Sequence, residues 1–358
     1  MSRWRYFARR VVLSVPVLFF GITVVFLLIY AGPIDPVSAI LGQQYTPSAA
    51  ARIRRNLGLN QPLWQRYIGF MMDVATGNLG QSWVIKPGQP AFQVIWNFAP
   101  RTIWLGFWSV LIAIFIGIPL GFYAGLNPNT GGDYLASFGG IVWRAMPNFW
   151  LAVILVSLLS QSEQIARVIG LQFSWSSWLV TTDVVTPPNL RFFSDPLGAI
   201  RSPQQWWIIP GSDGSFLAAL KQIIPAAVVL GSASMGNEMR IGRTAVLETI
   251  NSKYVETAKA KGLSSRVIVW KHVFRNALIP LVPIITGEAF LLLGGSVLVE
   301  YVFAINGIGW LFFQAVRQGD LPLAGALMVL FIIVLVSINI LQDLLYTIID
   351  PRVGYDRE

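Results

Sequence analysis

Three kinds of residue are scarce in this chain of 358 amino acids, which has no cysteine, one histidine and few charged side chains. Without cysteine, the chain has no disulfide framework, no thiolate nucleophile and no cysteine-ligated metal site. The single histidine, His272, excludes a zinc motif or a relay that needs two histidines, and it argues against a hydrolytic triad. The sequence also shows no paired carboxylates, so we expect that the chain is not an enzyme.

The scarcity of charge indicates the class of protein. Charged residues make up 12% of the chain and hydrophobic residues 54%, whereas an average soluble domain has roughly 25% charged residues. The mean hydropathy is +0.60, and several apolar runs approach the ~20 residues that a transmembrane helix needs. The net charge of +9 is dispersed between these runs. This distribution suits cytoplasmic flanks and anionic lipid rather than nucleic acid.

A nucleotide-binding motif is also missing. No Gly-x-x-x-x-Gly-Lys-Ser/Thr loop occurs in the sequence. The stretch from Gly231 to Gly236 has the glycine spacing of such a loop, but Asn237 stands where the lysine would be, and the stretch closes an apolar run. If the protein uses nucleotide energy, we therefore expect another chain to bind the nucleotide.

The apolar runs predict an all-α polytopic membrane protein with six transmembrane helices and both termini in the cytoplasm. Four arginines among the first ten residues place the N-terminus inside, and the run that follows is longer than that of a signal peptide, so we expect it to remain as a span. The predicted spans are residues 11–30, 103–126, 139–159, 216–236, 278–299 and 322–348.

The spans divide the chain into two predicted parts. Residues 1–102 form the first span and an external region, and residues 103–358 form a core of five spans. The core includes an external loop at about 160–215 and a cytoplasmic loop at about 237–277. In the second span, small residues that permit close helix packing recur at every fourth position. They are Gly117, Gly121 and Gly125.

Acidic residues within the spans are few. Glu288 is the one clear mid-span acid, and Asp343 lies close to the inner end of the sixth span. A proton- or sodium-coupled transporter needs a set of buried carboxylates, so this scarcity argues against that class. Two interpretations of Glu288 stay open. It lines a translocation path, where it meets a substrate ammonium group, or it is paired or protonated within the bundle.

The cytoplasmic stretch 251–280 is the main candidate site. It carries Glu256 as its only acid among six basic residues, which are Lys253, Lys259, Lys261, Arg266, Lys271 and Arg275. Strong helix formers run from Tyr254 to a C-cap at Gly262, and Ser264 or Ser265 is placed to cap a second short helix.

Two short helices at an angle on the inner face form a knob that fits a groove in a soluble partner. The small side chains of Ala258 and Ala260 beside Gly262 are expected to let that partner approach closely. The alternative is a solvated basic loop attracted to anionic lipid. That alternative does not need the Glu-Thr-Ala-x-Ala-x-Gly pattern.

The loop resembles the cytoplasmic loop of permeases of ABC importers, in the dipeptide, oligopeptide and nickel branch. The resemblance rests on Tyr254-Val255-x-Thr257-Ala258-x-Ala260-Lys261-Gly262-Leu263, His272, Arg275-Asn276-Ala277-Leu278 and Pro280. Further similar segments in the same order include Gly32-Pro33-x-Asp35-Pro36, Gly77-Asn78-Leu79-Gly80-x-Ser82, Gly307-x-Gly309 and Asp350-Pro351-Arg352. They are typical of the B-type subunit. Thr257 departs from the alanine that is common in the loop motif, and the 160–215 loop is longer than usual.

The resemblance implies a type I importer fold in the cytoplasmic (inner) membrane, with the bilayer as the surrounding partner. It implies a second homologous permease, two ATPase subunits that bind ATP and Mg, and an external substrate-binding protein. It also implies that Tyr254, Glu256, Thr257, Ala258, Ala260, Gly262 and Leu263 couple the permease to the ATPases. The expected cargo is a di- or oligopeptide; nickel chelates, glutathione and oligosaccharides stay open. A stand-alone channel or secondary transporter is the competing class.

Overall fold

The computed structural model describes residues 3–349 apart from 31, 33–35, 43–44, 57, 169, 172–215 and 295–296. Most of the predicted 160–215 loop therefore lies outside the described residues. In the part that is described, regular structure is helical, apart from one isolated antiparallel bridge between Gln81 and Pro90. The predicted all-α class is confirmed for these residues.

The helices are numbered here in chain order. The first nine are α1 Arg3–Tyr30, α2 Pro36–Leu41, α3 Pro47–Asn56, α4 Leu63–Ala75, α5 Ala91–Ile112, α6 Ile118–Leu126, α7 Gly131–Ala145, α8 Asn148–Ser160 and α9 Ser162–Val168. The others are α10 Phe216–Ile250, α11 Lys253–Ala260, α12 265–277, α13 Val282–Gly294, α14 Val297–Val302, α15 Ile308–Gln318 and α16 Leu321–Ile349.

The described chain contains π-helical turns at two places. The turn Ala113–Gly117 joins α5 to α6 without a break in the helix, and Ile268–Phe274 forms the middle of α12. A short 3₁₀ segment, Ile279–Leu281, then leads into α13. Such turns are rare and concentrate at functional sites.

Four helical stretches of the described chain are long and apolar enough to cross a membrane. They are Phe7–Tyr30, Ala91–Leu126, Ser265–Glu288 and Leu321–Leu345. The bent pair α7–α8 meets the same test together and adds a fifth. The predicted first, second and sixth spans lie on three of these stretches, whereas the fifth span lies on a stretch that begins 13 residues earlier than predicted, at Ser265. The predicted fourth span lies on α10, and the count of six stays a prediction.

The third predicted span is broken at Pro147. Helices α7 and α8 meet there at 97°. Proline disfavours helical geometry in the residue before it, and Met146 is extended, with φ −83° and ψ 127°. The backbone N–H of Trp150 and that of Leu151 then donate to the Pro147 carbonyl and start α8. The sequence run that looked like one span is therefore two helices nearly at a right angle.

The predicted close helix packing at the glycines of the second span is confirmed, and the helix they pack against is α10. A Cβ atom at Gly121 would lie 2.5 Å from the Met239 carbonyl oxygen, and one at Gly125 would lie 2.9 Å from the Arg243 carbonyl oxygen. Any larger residue would push the helices apart. The close packing of α6 on α10 therefore depends on these glycines.

Helices α1 and α16 run antiparallel along each other. Ile22, Val25 and Ile29 of α1 share an apolar cluster with Leu321 and Val329. Near the other end of the pair, Arg10 Nε lies 3.6 Å from Asp343 Oδ2.

The start of α16 is held by a buried carboxylate. Asp320 is fully buried and accepts a hydrogen bond from the Ser82 hydroxyl. It also accepts one from each of three backbone N–H groups, those of Trp83, Val84 and Ile85, each at 3.0 Å. These donors belong to the external region between α4 and α5. The carboxylate thus ties the N-terminal part of the chain to the last helix.

A second buried carboxylate holds the start of α15. The Thr102 hydroxyl donates to Glu300 Oε1 at 2.8 Å, and the Trp310 N–H donates to Oε2 at 2.9 Å. Thr102 also accepts a hydrogen bond from the Ile308 N–H at 2.7 Å. Burial raises the pKa of Glu300 to about 7, although the hydrogen bonds from Trp310, Thr102 and Gly309 act to lower it. The cluster ties α5, α14 and α15 together.

Candidate functional site

The first half of the 251–280 loop is a short helix with a well-formed C-terminus. Helix α11 ends at Ala260, and Gly262 adopts a left-handed conformation with φ +74°. The Gly262 N–H donates to the Lys259 carbonyl and the Leu263 N–H to the Ala258 carbonyl, which is the Schellman arrangement. The predicted helix and its glycine stop are confirmed. A side chain at Gly262 would meet no atom within 4 Å but would strain the backbone.

The two faces of α11 differ in exposure. Val255 and Ala258 are buried, whereas Glu256, Thr257 and Ala260 are exposed. The expectation that Ala258 is open to a partner is therefore wrong, because at helical spacing it shares the inner face with Val255. Three apolar side chains of the 251–280 loop stay well exposed to solvent. They are Tyr254 (45% exposed), Leu263 (39%) and Trp270 (61%).

The second half of the loop is helical, as predicted, but the predicted serine cap is wrong. Helix α12 follows Ser264, but neither the Ser264 nor the Ser265 hydroxyl makes a capping bond in the structure, and the Ile268 N–H donates to the Ser264 carbonyl. The π-helical middle of α12 then continues towards α13 with little interruption. The loop is therefore a helical corner attached to a long apolar stretch rather than a free excursion of the chain.

The inner side of this corner packs on the helices above it. Val255, Ala258, Ile268 and Val273 form one buried cluster with Ile118, Phe122, Ala245, Val246, Ala277 and Leu281 of the surrounding helices. Each buried valine or isoleucine contributes roughly 1.5–3 kcal/mol of hydrophobic stabilisation. A force applied to α11 is therefore transmitted directly to α6, α10 and α12.

An ion pair fixes the helix that leads into the loop. Arg243 of α10 donates to both carboxylate oxygens of Asp133, Nε to Oδ1 at 2.6 Å and an NH2 group to Oδ2 at 2.8 Å. Asp133 is buried and also accepts hydrogen bonds from the Asn129 N–H and the Ser137 hydroxyl. Bidentate arginine–carboxylate pairs are strong and specific in geometry. The pair locks the start of α7 to the part of α10 that enters the loop.

Sequence analysis missed a second acid beside Glu288. The predicted span boundary at residue 236 left Glu238 in a polar extension of α10, but its side chain is fully buried and faces Gly117. The carboxylates of Glu238 and Glu288 are close enough for appreciable electrostatic repulsion. The expectation that the chain lacks paired carboxylates is therefore wrong. Helical periodicity beyond residue 236 was the one signal that could have placed Glu238 inside.

Among the described residues no group of three or more histidine, aspartate or glutamate side chains is arranged to hold a metal ion. The exposed basic residues of the loop, including Lys253, Lys259 and Lys261, lie on its solvent side. The described residues therefore present two candidate features, which are the exposed face of the loop and the Glu238–Glu288 acid pair.

Comparison with known proteins gives a family for the whole chain. The family described as "Binding-protein-dependent transport system inner membrane component" matches residues 117–355. A companion family, "Binding-prot-dependent transport system membrane comp, N-term", matches residues 3–92.

Similar curated proteins extend over nearly the full length. The chain is 33% identical to the dipeptide transport system permease protein DppB of Alkalihalophilus pseudofirmus, covering 98% of this chain and 99% of that protein. It is 29% identical to the oligopeptide transport system permease protein AppB of Bacillus subtilis, with the same coverage. It is 30% identical to DppB of Escherichia coli K12 over 99% of both chains. Since these matches span the helices, the loop and the outer clusters together, the chain belongs to the family of inner membrane components of binding-protein-dependent transport systems.

Proposed function

We propose that this protein is the transmembrane permease subunit of an ATP-driven ABC importer for di- or oligopeptides. The observation that carries the proposal is the α11–Gly262 corner, which is exposed on one face and packed on the spanning helices by the other. The relatives named above are dipeptide and oligopeptide permeases, which supports peptides as the cargo. The chain works in the inner membrane with a second permease, ATPase subunits and a substrate-binding protein.

The corner acts as the coupling element. Tyr254, Leu263 and Trp270 present apolar side chains on a surface rimmed by lysine and arginine. A groove with an apolar floor and an acidic rim on an ATPase subunit complements this surface. When two ATPase subunits close on ATP, the corner moves with them. The buried side of α11 and the Asp133–Arg243 pair carry that motion into α10 and α6.

The chemistry of ATP hydrolysis belongs to the partner. This chain has no phosphate-binding loop, so ATP and Mg are bound by the ATPase subunits, and the permease contributes no catalytic residue. Its task is to form the translocation path with the second permease. In this proposal Glu288 of α13 lies on that path.

A pair of loop substitutions tests the assignment. Gly262→Asp strains the left-handed position at the end of α11, and Glu256→Lys reverses the only acid on the loop. Each is expected to lower ATP-dependent peptide uptake at least tenfold in proteoliposomes and to reduce the amount of ATPase subunit that co-purifies with the permease.

The controls separate coupling from folding. Gly88 has φ +77° and open space around it, like Gly262, but lies in the external region. Gly88→Asp imposes the same backbone strain and is expected to leave uptake unchanged. Glu163→Lys is the matched control for charge reversal. Normal uptake by both loop variants would show that the loop assignment is wrong.

A further inference from the structure

Two carboxylates inside the bundle lack partners. Glu238 of α10 is fully buried, and neither of its oxygens has a hydrogen-bond partner among the described residues. Glu288 of α13 is half-buried; the Ser234 hydroxyl donates to it, but its Oε2 atom is buried without a partner. Three buried acceptor oxygens are thus left unsatisfied at one place in the fold. Buried polar groups are nearly always hydrogen-bonded, so an exception of this size requires an explanation.

Both acids lie near the middle of the bundle. Gly117, against which Glu238 packs, is about 14 Å along the helix axis from the inner end of α6 at Leu126. In the predicted fifth span, residues 278–299, Glu288 is about 15 Å along the helix from Leu278. The hydrocarbon core of a bilayer is about 30 Å thick. With these predicted span boundaries, the acid pair lies at the depth where an ionisable group is most costly and where substrates cross.

The pair has room on one side because of a glycine in a π-helical turn. A Cβ atom at Gly117 would lie 2.7 Å from Glu238 Oε2, so no other residue leaves the carboxylate in place. Helices α10 and α13 both pack along α5, while their direct contact with each other is slight among the described residues. Separation of α10 from α13 therefore exposes the acids without dismantling the packing on α5.

The unsatisfied atoms define the chemistry of a ligand. When both acids are ionised, their three unsatisfied oxygens require a cation that donates several hydrogen bonds. A primary ammonium group has three N–H donors and one positive charge. The described residues place no lysine, arginine or histidine in an ion pair with either acid, and two carboxylates fall short of the six to eight oxygens that calcium takes.

We propose that Glu238 and Glu288 form a binding site for the α-ammonium group of a peptide in transit, presented when α10 and α13 move apart. This inference rests on the proposed function, because only a peptide importer brings such a group to this depth. The carboxylates hold the ammonium group by charge-assisted hydrogen bonds while the rest of the peptide passes between the permeases. Once the ligand has left, repulsion between the two carboxylates disfavours the arrangement that held it.

The test uses the complete importer with its ATPase subunits and binding protein in proteoliposomes. Glu238→Gln and Glu288→Gln keep the side-chain size but remove the charge. Each is expected to lower uptake of dialanine about tenfold or more, since a hydrogen bond to a charged group is lost. Glu163→Gln removes an exposed carboxylate on α9 and is expected to have no effect.

A second readout does not depend on delivery by the binding protein. Millimolar dialanine is expected to raise the Tm of the wild-type permease complex, whereas N-acetyl-dialanine is not, and neither peptide is expected to stabilise the Gln variants. Equal stabilisation by both peptides, no stabilisation of the wild type, or unchanged uptake by the Gln variants overturns the site.

Two further outcomes would identify another partner for the acids. Uptake that depends on sodium, and loses that dependence in the Gln variants, shows an inorganic ion in place of the ammonium group and overturns the proposal. Loss of the second permease from the purified Gln variants shows that the acids pair with that subunit, and also overturns it. Failure of the wild type to import dialanine at all is a different result, because it contradicts the proposed function rather than the site alone.

Discussion

Two pairs of acids in the described chain have opposite surroundings. On the predicted outer side, Asp320 and Glu300 are each surrounded by hydroxyl and backbone N–H donors. Inside the bundle, Glu238 has no donor and Glu288 has an unsatisfied oxygen. All four acids are carried by helices or helix starts, so the difference does not arise from the type of scaffold.

The contrast separates structural acids from functional acids. A satisfied buried carboxylate stabilises the segments that donate to it, as Asp320 does for residues 82–85. An unsatisfied one destabilises the closed state and is retained only where a ligand or a conformational change uses it. Substitution of Asp320 or Glu300 should therefore cost more stability than transport, whereas substitution of Glu238 or Glu288 should cost more transport than stability.

The largest loss of stability is expected for Asp320→Ala. The substitution leaves three partly buried backbone N–H groups, of Trp83, Val84 and Ile85, without an acceptor. We expect a loss of about 3–5 kcal/mol in unfolding free energy, as for other buried charged networks that lose one partner. Thermal unfolding in detergent, followed by tryptophan fluorescence, measures it. Asp73→Ala, at an exposed acid of the same region, serves as the control, and an equal Tm for the two variants would contradict the role given to Asp320.

Glu300 makes stability depend on pH. Its pKa rises from an ordinary 4.5 to about 7 in the folded protein, so the folded state binds the proton more tightly than the unfolded chain does. The stabilisation that this proton provides is complete below about pH 4.5 and is lost as the pH rises to about 7, by about 3 kcal/mol.

The test of this pH dependence is a difference measurement. Glu300→Gln imitates the protonated acid, so the stability of the wild type relative to this variant should fall between pH 4.5 and 7 and stay level above pH 8. Glu163→Gln should show no such change across the same range. If the stability difference between the wild type and Glu300→Gln does not change with pH, Glu300 is not the group that titrates.

A smaller loss is expected for Thr102→Val. The hydroxyl of Thr102 donates to Glu300 and accepts from the Ile308 N–H, and valine has the same shape without either bond. We expect a loss of about 1–3 kcal/mol, measured by the same unfolding assay. Thr76→Val, at an exposed threonine on the outer side, is the matched control. No difference between them would mean that Glu300 is held by backbone donors alone.

The smallest change in stability is expected for Glu238→Gln. Removal of one charge from a repelling pair leaves the unfolding free energy within about 1 kcal/mol of the wild type or raises it. The uptake measurement described above should fall in the same variant. A loss of several kcal/mol would place Glu238 among the structural acids, and the contrast between the two pairs would disappear.

Much of the fold could be predicted because apolar runs encode it directly. Phe7–Tyr30 and Leu321–Leu345 lie on two of the predicted spans, and the glycine spacing of the second span indicated close helix packing, although it did not show that α10 is the partner. The stop at Gly262 was also predictable, since few residues adopt the left-handed conformation that ends α11.

The parts that escaped prediction depend on partners distant in sequence. Glu238 looked solvated because its neighbours are polar, but Gly117 of another helix covers it. Ala258 looked available to a partner, but Ile268 and Val273 pack on the same cluster. Single-sequence reasoning locates residues along one helix, and it does not show which other helix covers a face.

The contact between Arg10 and Asp343 has a consequence for the path of the whole chain. Arg10 lies near the start of α1 and Asp343 near the end of α16, so these two helix ends lie together. This contact supports the prediction that both termini lie on the same side of the membrane, which requires an even number of crossings. The four apolar stretches and the bent α7–α8 pair number five. The predicted topology thus needs one more crossing, and α10, at 35 residues or about 52 Å of helix, is long enough to supply it.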